Sequence, residues 1–135
     1  MKTTDRMIAV ARAARARAWA PYSRFKVGAC LRTSDGALHA GCNVENAAYP
    51  QSSCAEASAI SAMVGAGGRR IVEVVVVGGG KGPCTPCGGC RQRLAEFARV
   101  DTPVHMARPD GRILLSTTLG ALLPHAFGPM NLESK

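Results

Sequence analysis

Ile71-Val72-Glu73-Val74-Val75-Val76-Val77 is the stretch from which the fold can be read. The run is almost entirely β-branched, which suits a strand. It does not alternate apolar with polar residues, so it belongs to a strand covered on both faces, in a parallel or mixed sheet with flanking helices. On its N-terminal side, residues 54–66 carry a helical pattern. Ile60, Met63 and Val64 continue a stripe that begins at Glu56, and Gly65, Gly67 and Gly68 end it. On its C-terminal side, Gly78 to Gly82 form a glycine-rich loop. The loop lacks the Gly-Lys-Ser/Thr ending that cradles nucleotide triphosphates. Residues 88–99 then predict another helix, with Cys90, Leu94, Phe97 and Ala98 on one stripe.

The outer segments complete the pattern. Residues 4–20 predict a helix whose Met7, Val10, Ala11, Ala14 and Ala18 share a face, stopped by Pro21. Residues 22–44 predict a β-hairpin in which Phe25, Val27 and Ala29 alternate with Lys26 and Gly28. It turns at Ser34-Asp35-Gly36 and returns through Leu38, Ala40 and Cys42. Cys30 and Cys42 are expected to face each other across it as small buried thiols. Residues 45–53 form a polar loop rich in hydrogen-bonding side chains, a composition suited to function. Residues 103–107 and 112–115 predict short strands around the Pro109-Asp110-Gly111 turn, and residues 117–123 a last short helix capped by Ser116. The order α-β-β-α-β-α-β-β-α predicts an α/β protein, a three-layer α-β-α sandwich on a mixed sheet, in one domain spanning residues 1–135.

The chain carries a formal charge of +8. Its basic residues are spread from Lys2 to Lys135 without a long run, and only three Phe, two Tyr and one Trp are available to stack on bases. A nucleic-acid surface needs a more concentrated footprint, so the arginines are expected on solvated faces. No segment approaches the length of a membrane span. Arg12, Arg15 and Arg17 interrupt any apolar core of a signal peptide, which points to the cytoplasm. There, six cysteines suggest metal binding and free thiols instead of disulfides.

Two segments carry the chemistry: Ser53-Cys54-Ala55-Glu56, and Pro86-Cys87-Gly88-Gly89-Cys90. Three thiolates fill three of the four tetrahedral positions of zinc and leave one open, which is the catalytic pattern. His39, His105 and His125 are all wrongly placed to be ligands, so one zinc per chain would rely on sulfur. Glu56 beside that cluster is a candidate general base, and Cys-x-Glu with a later Pro-Cys-x-x-Cys matches the three-cysteine signature of nucleobase deaminases. Read alone, Ser53-x-x-Glu56 is also a capping box. Both cysteine segments are placed to open helices, whose N-termini favour thiolate. Cys84 leaves the register open, because Pro83-Cys84-Thr85-Pro86-Cys87 also fits Pro-Cys-x-x-Cys. Cys87 and Cys90 are preferred, because Arg91-Gln92-Arg93-Leu94 continues as a helix. A closed four-thiolate site using Cys84 is the alternative.

Over nearly its whole length the chain resembles the small homotetrameric cytidine deaminases. The blocks that carry the likeness are Tyr22-Ser23-Arg24-Phe25-Lys26-Val27-Gly28-Ala29, Gly41-Cys42-Asn43-Val44-Glu45-Asn46-Ala47, Cys54-Ala55-Glu56, Pro86-Cys87-Gly88-Gly89-Cys90-Arg91-Gln92 and Leu122-Leu123-Pro124-His125-Ala126-Phe127-Gly128-Pro129. The resemblance implies a five-stranded sheet, a nucleoside substrate (cytidine or 2′-deoxycytidine), catalytic Glu56, zinc on Cys54, Cys87 and Cys90, and a homotetramer with shared sites. It also implies that Phe25 stacks on the pyrimidine and that Asn43 and Glu45 bind the ribose hydroxyls. The backbone of Ala55 and the carbonyl of Thr85 would meet the base. Ala47, Tyr49 and Phe127 would help close a site, in part from a neighbouring chain. One position departs: the family commonly has arginine directly after the catalytic glutamate, donating to zinc-bound sulfur, and here that residue is Ala57. Without that cation a three-thiolate centre acidifies water less, unless another group compensates. The other readings are a deaminase of a modified nucleoside or aminonucleoside antibiotic, a polynucleotide editor, and a non-catalytic zinc-stabilised interaction protein.

Overall fold

A computed structural model describes residues 2–133. Its elements are α1 (Thr3–Ala16), β1 (Val27–Thr33), β2 (Leu38–Cys42), α2 (Ala55–Gly65), β3 (Ile71–Gly78), α3 (Gly88–Ala95), β4 (Pro103–Ala107), β5 (Ile113–Thr118) and α4 (Leu119–Leu122). The five strands form one mixed sheet in the order β2-β1-β3-β4-β5, in which only β3 and β4 pair in parallel.

β3 is central and covered on both faces, as its composition requires. Val74, Val75, Val76 and Val77 are fully buried, and each such side chain stabilises the fold by about 1.5–3 kcal/mol. Strand alternation sorts the core into two halves. Ala29, Leu31, Val74, Val76, Val104 and Met106 face Ala59 and Met63 of α2 and Leu94 of α3. Cys30, Val75, Val77 and Ala107 face Met7, Ile8 and Ala11 of α1. The result is the expected three-layer sandwich.

Several local expectations are corrected. The first helix stops at Ala16, four residues short of the expected end, because residue 19 is used elsewhere. The Trp19 N–H donates to the Asn43 carbonyl, and the Glu45 N–H donates to that of Trp19, making a parallel bridge to Val44. Phe25 lies before β1, not within it. Cys30 and Cys42 do not face each other: β1 and β2 pair Cys30 with Ala40 and Gly28 with Cys42. The turn centres on Asp35, whose Oδ1 accepts from the Thr33 hydroxyl (2.6 Å) and the Ala37 N–H (3.1 Å). α3 ends at Ala95, before Phe97 and Ala98. β5 runs on to Thr118, so the cap of α4 is Thr118, which accepts from the Ala121 N–H; Ser116 instead bonds His105 within the sheet.

This topology positions the site. β2 and β3 are both antiparallel to β1, hence parallel to each other, and their C-terminal ends lie at the same edge of the sheet. α2 follows β2 and α3 follows β3, both packed on the same face. Their N-termini therefore converge at that edge, where ligands commonly bind in α/β sheets.

Candidate active site

Cys54 is the N-cap of α2 and Cys87 the N-cap of α3, while Cys90 lies one turn inside α3. The three sulfurs lie within 4.8 Å of one another, with Cys54 Sγ and Cys87 Sγ 3.9 Å apart. Zinc–sulfur bonds of about 2.3 Å at tetrahedral angles place sulfurs roughly 3.8 Å apart, so the trio fits the ion. Cys84 is not in that group. It packs against Gly78 and the main core, and burial pushes its thiol up to about 11. The Cys87 thiol is lowered, first by the Cys90 backbone N–H, whereas burial raises Cys54 and Cys90. Thiols held this close favour a divalent cation, which replaces their protons.

Glu56 sits in the first turn of α2 and is buried. The capping-box alternative does not form: the N-cap is Cys54, with no side-chain cap, and Ser53 Oγ lies near Ser58 Oγ instead. Burial raises the Glu56 carboxyl above its ordinary range, opposed by its own backbone N–H and by the Arg93 cation.

A cleft of roughly 290 Å³ opens over these groups. Cys54, Ala55, Glu56, Cys84, Thr85 and Cys87 line it, together with Phe25, Asn43 and Glu45. Glu45 is held by Tyr22 N–H (2.9 Å), Ser23 N–H (3.1 Å) and the Ser23 hydroxyl, and the last of these is the main reason its carboxyl is lowered. Asn43 braces the entrance to β1. Its Oδ1 accepts from the Val27 N–H and its Nδ2 donates to the Phe25 carbonyl, both at 2.8 Å. Ala47, Tyr49 and Phe127 are not in the cleft lining; all three are exposed, and Tyr49 stands edge-on to Tyr22.

Three further residues, which the sequence reading left without a role of their own, make contacts at the site. Ser23, inside the Tyr22–Ala29 block, holds Glu45 and accepts from the Phe25 N–H. Arg91 ties the cysteine loop to α4, donating to the carbonyls of Pro86 (2.7 Å) and Leu122 (2.9 Å). Arg93 Nη1 donates to Cys90 Sγ (3.8 Å), a contact signalled by their three-residue separation on a helix.

Residues 1–106 match the model of the cytidine and deoxycytidylate deaminase zinc-binding region. A cytidine deaminase of Sporosarcina psychrophila is 42% identical over 129 residues, covering 96% of this chain and 94% of the relative. One from Mycobacterium tuberculosis is 41% identical over 116 residues, covering 85% of this chain and 82% of the relative. The crystal structure of cytidine deaminase from Burkholderia pseudomallei superposes with a TM-score of 0.86 at 43% identity, covering 94% of this chain and all of that one. Sequence likeness along most of the chain and the same five-stranded architecture agree: this protein belongs to the zinc-binding cytidine deaminase family.

Proposed function

We propose that the chain hydrolyses cytidine and 2′-deoxycytidine to uridine and 2′-deoxyuridine with release of ammonia, a reaction of pyrimidine salvage. The observation that carries this reading is one cleft lined by Cys54 and Cys87, two of the three clustered thiols, by the buried Glu56, and by Phe25, Asn43 and Glu45. That arrangement suits a flat ring bearing an amino group and joined to a sugar. Cys54, Cys87 and Cys90 would hold zinc, which when bound supplies the Lewis acidity that makes water a nucleophile at neutral pH.

The remaining work falls to the chain. Glu56 takes a proton from the attacking water as its oxygen adds to C4. It delivers that proton to the ring nitrogen, then takes the second proton from the hydroxyl added at C4 and passes it to the amine. The amine leaves as ammonia as the C4 carbonyl forms and the C4–N bond breaks. Burial favours this role, because a carboxyl with raised proton affinity can both accept and return a proton. Phe25 offers a face to the pyrimidine, the Ala55 backbone and Thr85 carbonyl meet its polar edge, and Glu45 with Asn43 receives the sugar hydroxyls. Ser23 holds Glu45 ionised for that purpose.

The reading extends to a homotetramer with shared sites. Tyr49 and Phe127 are 71% and 56% exposed, and Trp19, Met130 and Leu132 are exposed as well. Large apolar side chains in such number mark a surface for association. Ala47, Tyr49 and Phe127 would then close the cleft of a neighbouring copy. All six cysteines are free, which suits a reducing cytoplasm. Among the described residues no helix is long and apolar enough to cross a membrane.

The test is an ultraviolet assay with cytidine on protein of known zinc content. Glu56→Ala is expected to keep its zinc and lose turnover by at least about a hundredfold. Wild-type turnover in that variant would overturn the mechanism.

A further inference from the structure

Three thiolates leave a divalent ion with net negative charge, and the buried Glu56 carboxylate adds another. A cation nearby offsets part of that charge and so strengthens the preference of the sulfurs for metal over protons. Position 57, directly after Glu56, is alanine, and its small side chain leaves room in a second cleft of roughly 410 Å³. Ala57, Ile60 and Ser61 line it from α2, and Gln92 and Arg93 from α3. Arg93 folds back along its own helix. A Cβ placed on Gly89 would stand 3.2 Å from Arg93 Nη1, and the same nitrogen donates to Cys90 Sγ at 3.8 Å. None of the ion pairs among the described residues includes Arg93, although Glu96 lines the same cleft.

We propose that Arg93 is a positioning residue of the metal centre: one turn beyond Cys90 on α3, its guanidinium donates to Cys90 Sγ, orients that thiolate and offsets the charge of the three-thiolate set. The proposal takes the metal from the deaminase reading, yet it does not depend on which nucleoside is the substrate. Arginine suits the role because its charge is permanent and its planar fork fixes the direction of donation; lysine supplies the charge without the fork.

The experiment measures zinc affinity of the full chain by competition with a chromogenic chelator, in the wild type, Arg93→Met and Arg93→Lys. The same proteins loaded with cobalt report on the sulfurs through their sulfur-to-cobalt charge-transfer band. Arg93→Met is expected to weaken zinc binding by about tenfold or more and to shift the cobalt band. It is also expected to lower kcat with KM unchanged, and Arg93→Lys to recover part of the affinity. Affinity within twofold of wild type together with an unchanged cobalt spectrum overturns the proposal. Should Arg93→Met not fold, Arg93→Gln, which keeps a donor without charge, is read by the same criteria. Wild-type protein that binds zinc but leaves cytidine intact refutes the substrate reading and leaves the Arg93 measurement valid.

Discussion

Gly41 is where β2 meets α2, and giving it a side chain tests how the fold holds the site. A Cβ there would stand 2.2 Å from the Ala59 nitrogen, 2.6 Å from the Ala55 carbonyl oxygen and 2.8 Å from Ala59 Cα. Ordinary contact begins at 3.4 Å, so the closest approach is about 1.2 Å short. Every obstructing atom is helix backbone, which cannot swing aside as a side chain tip can. In Gly41→Ala, α2 therefore moves outward by about an ångström, carrying Glu56 and the start of the helix at Cys54. Overpacking of this kind costs about 1–3 kcal/mol. A metal site tolerates deviations of about 0.2 Å, and an ångström at a reacting group costs about a hundredfold in rate. Gly28→Ala is the control. Its Cβ would meet the Ala11 carbonyl oxygen at 2.0 Å and the Arg15 nitrogen at 2.6 Å, displacing α1 on the opposite face of the sheet. Urea unfolding, chelator competition and cytidine turnover would be measured on both. Both variants are expected to lose stability, but only Gly41→Ala is expected to lose zinc affinity. Wild-type stability and affinity in Gly41→Ala would refute the reasoning. Equal zinc loss in both would show that metal binding follows global stability and not the position of α2.

The cysteine register and the acid response are further tests. Cys87→Ser is expected to lower zinc well below one ion per chain while Cys84→Ser retains it, as read by metal analysis after dialysis; the reverse result would place Cys84 among the ligands. Glu73 is buried in the sheet, where Thr4 (2.6 Å), Arg32 (2.9 Å) and His105 (3.1 Å) bond its carboxylate. Burial acts to raise its carboxyl, but Thr4, Arg32 and His105 outweigh burial and hold it below the ordinary value of 4.5. A group depressed on folding stabilises the protein above its unfolded value, and that stabilisation disappears as pH falls through the lower, folded value. Urea midpoints measured from pH 7 to 3 should therefore fall below about pH 4.5. Glu73→Gln should be less stable at pH 7 and show a shallower acid limb; an unchanged limb would mean that other carboxylates govern it.

Much of this protein is legible in its sequence because the relevant physics is local. A run such as Val74–Val77 can only be a doubly covered strand, and helical spacing of Ile60, Met63 and Leu94 suffices to place two helices on it. Sulfur ligands and a neighbouring carboxylate announce their chemistry by residue type, and the helix that follows Cys87 separates it from Cys84. Other features depend on partners distant in the chain. The hairpin register follows from a turn closed around Asp35, and the early end of α1 from the demand of Val44 for a bridging strand at Trp19. The bonds of Asn43 to Phe25 and Val27 could not be seen from either segment alone. Only the tertiary structure brings the two cysteine segments together, because β2 and β3 end at the same edge of the sheet and deliver both helix N-termini there. The sequence by itself determined which atoms could bind a metal and move a proton. The packing of α2 and α3 on one sheet face decided that those atoms meet, and the turn of α3 that Arg93, not residue 57, reaches the Cys90 sulfur.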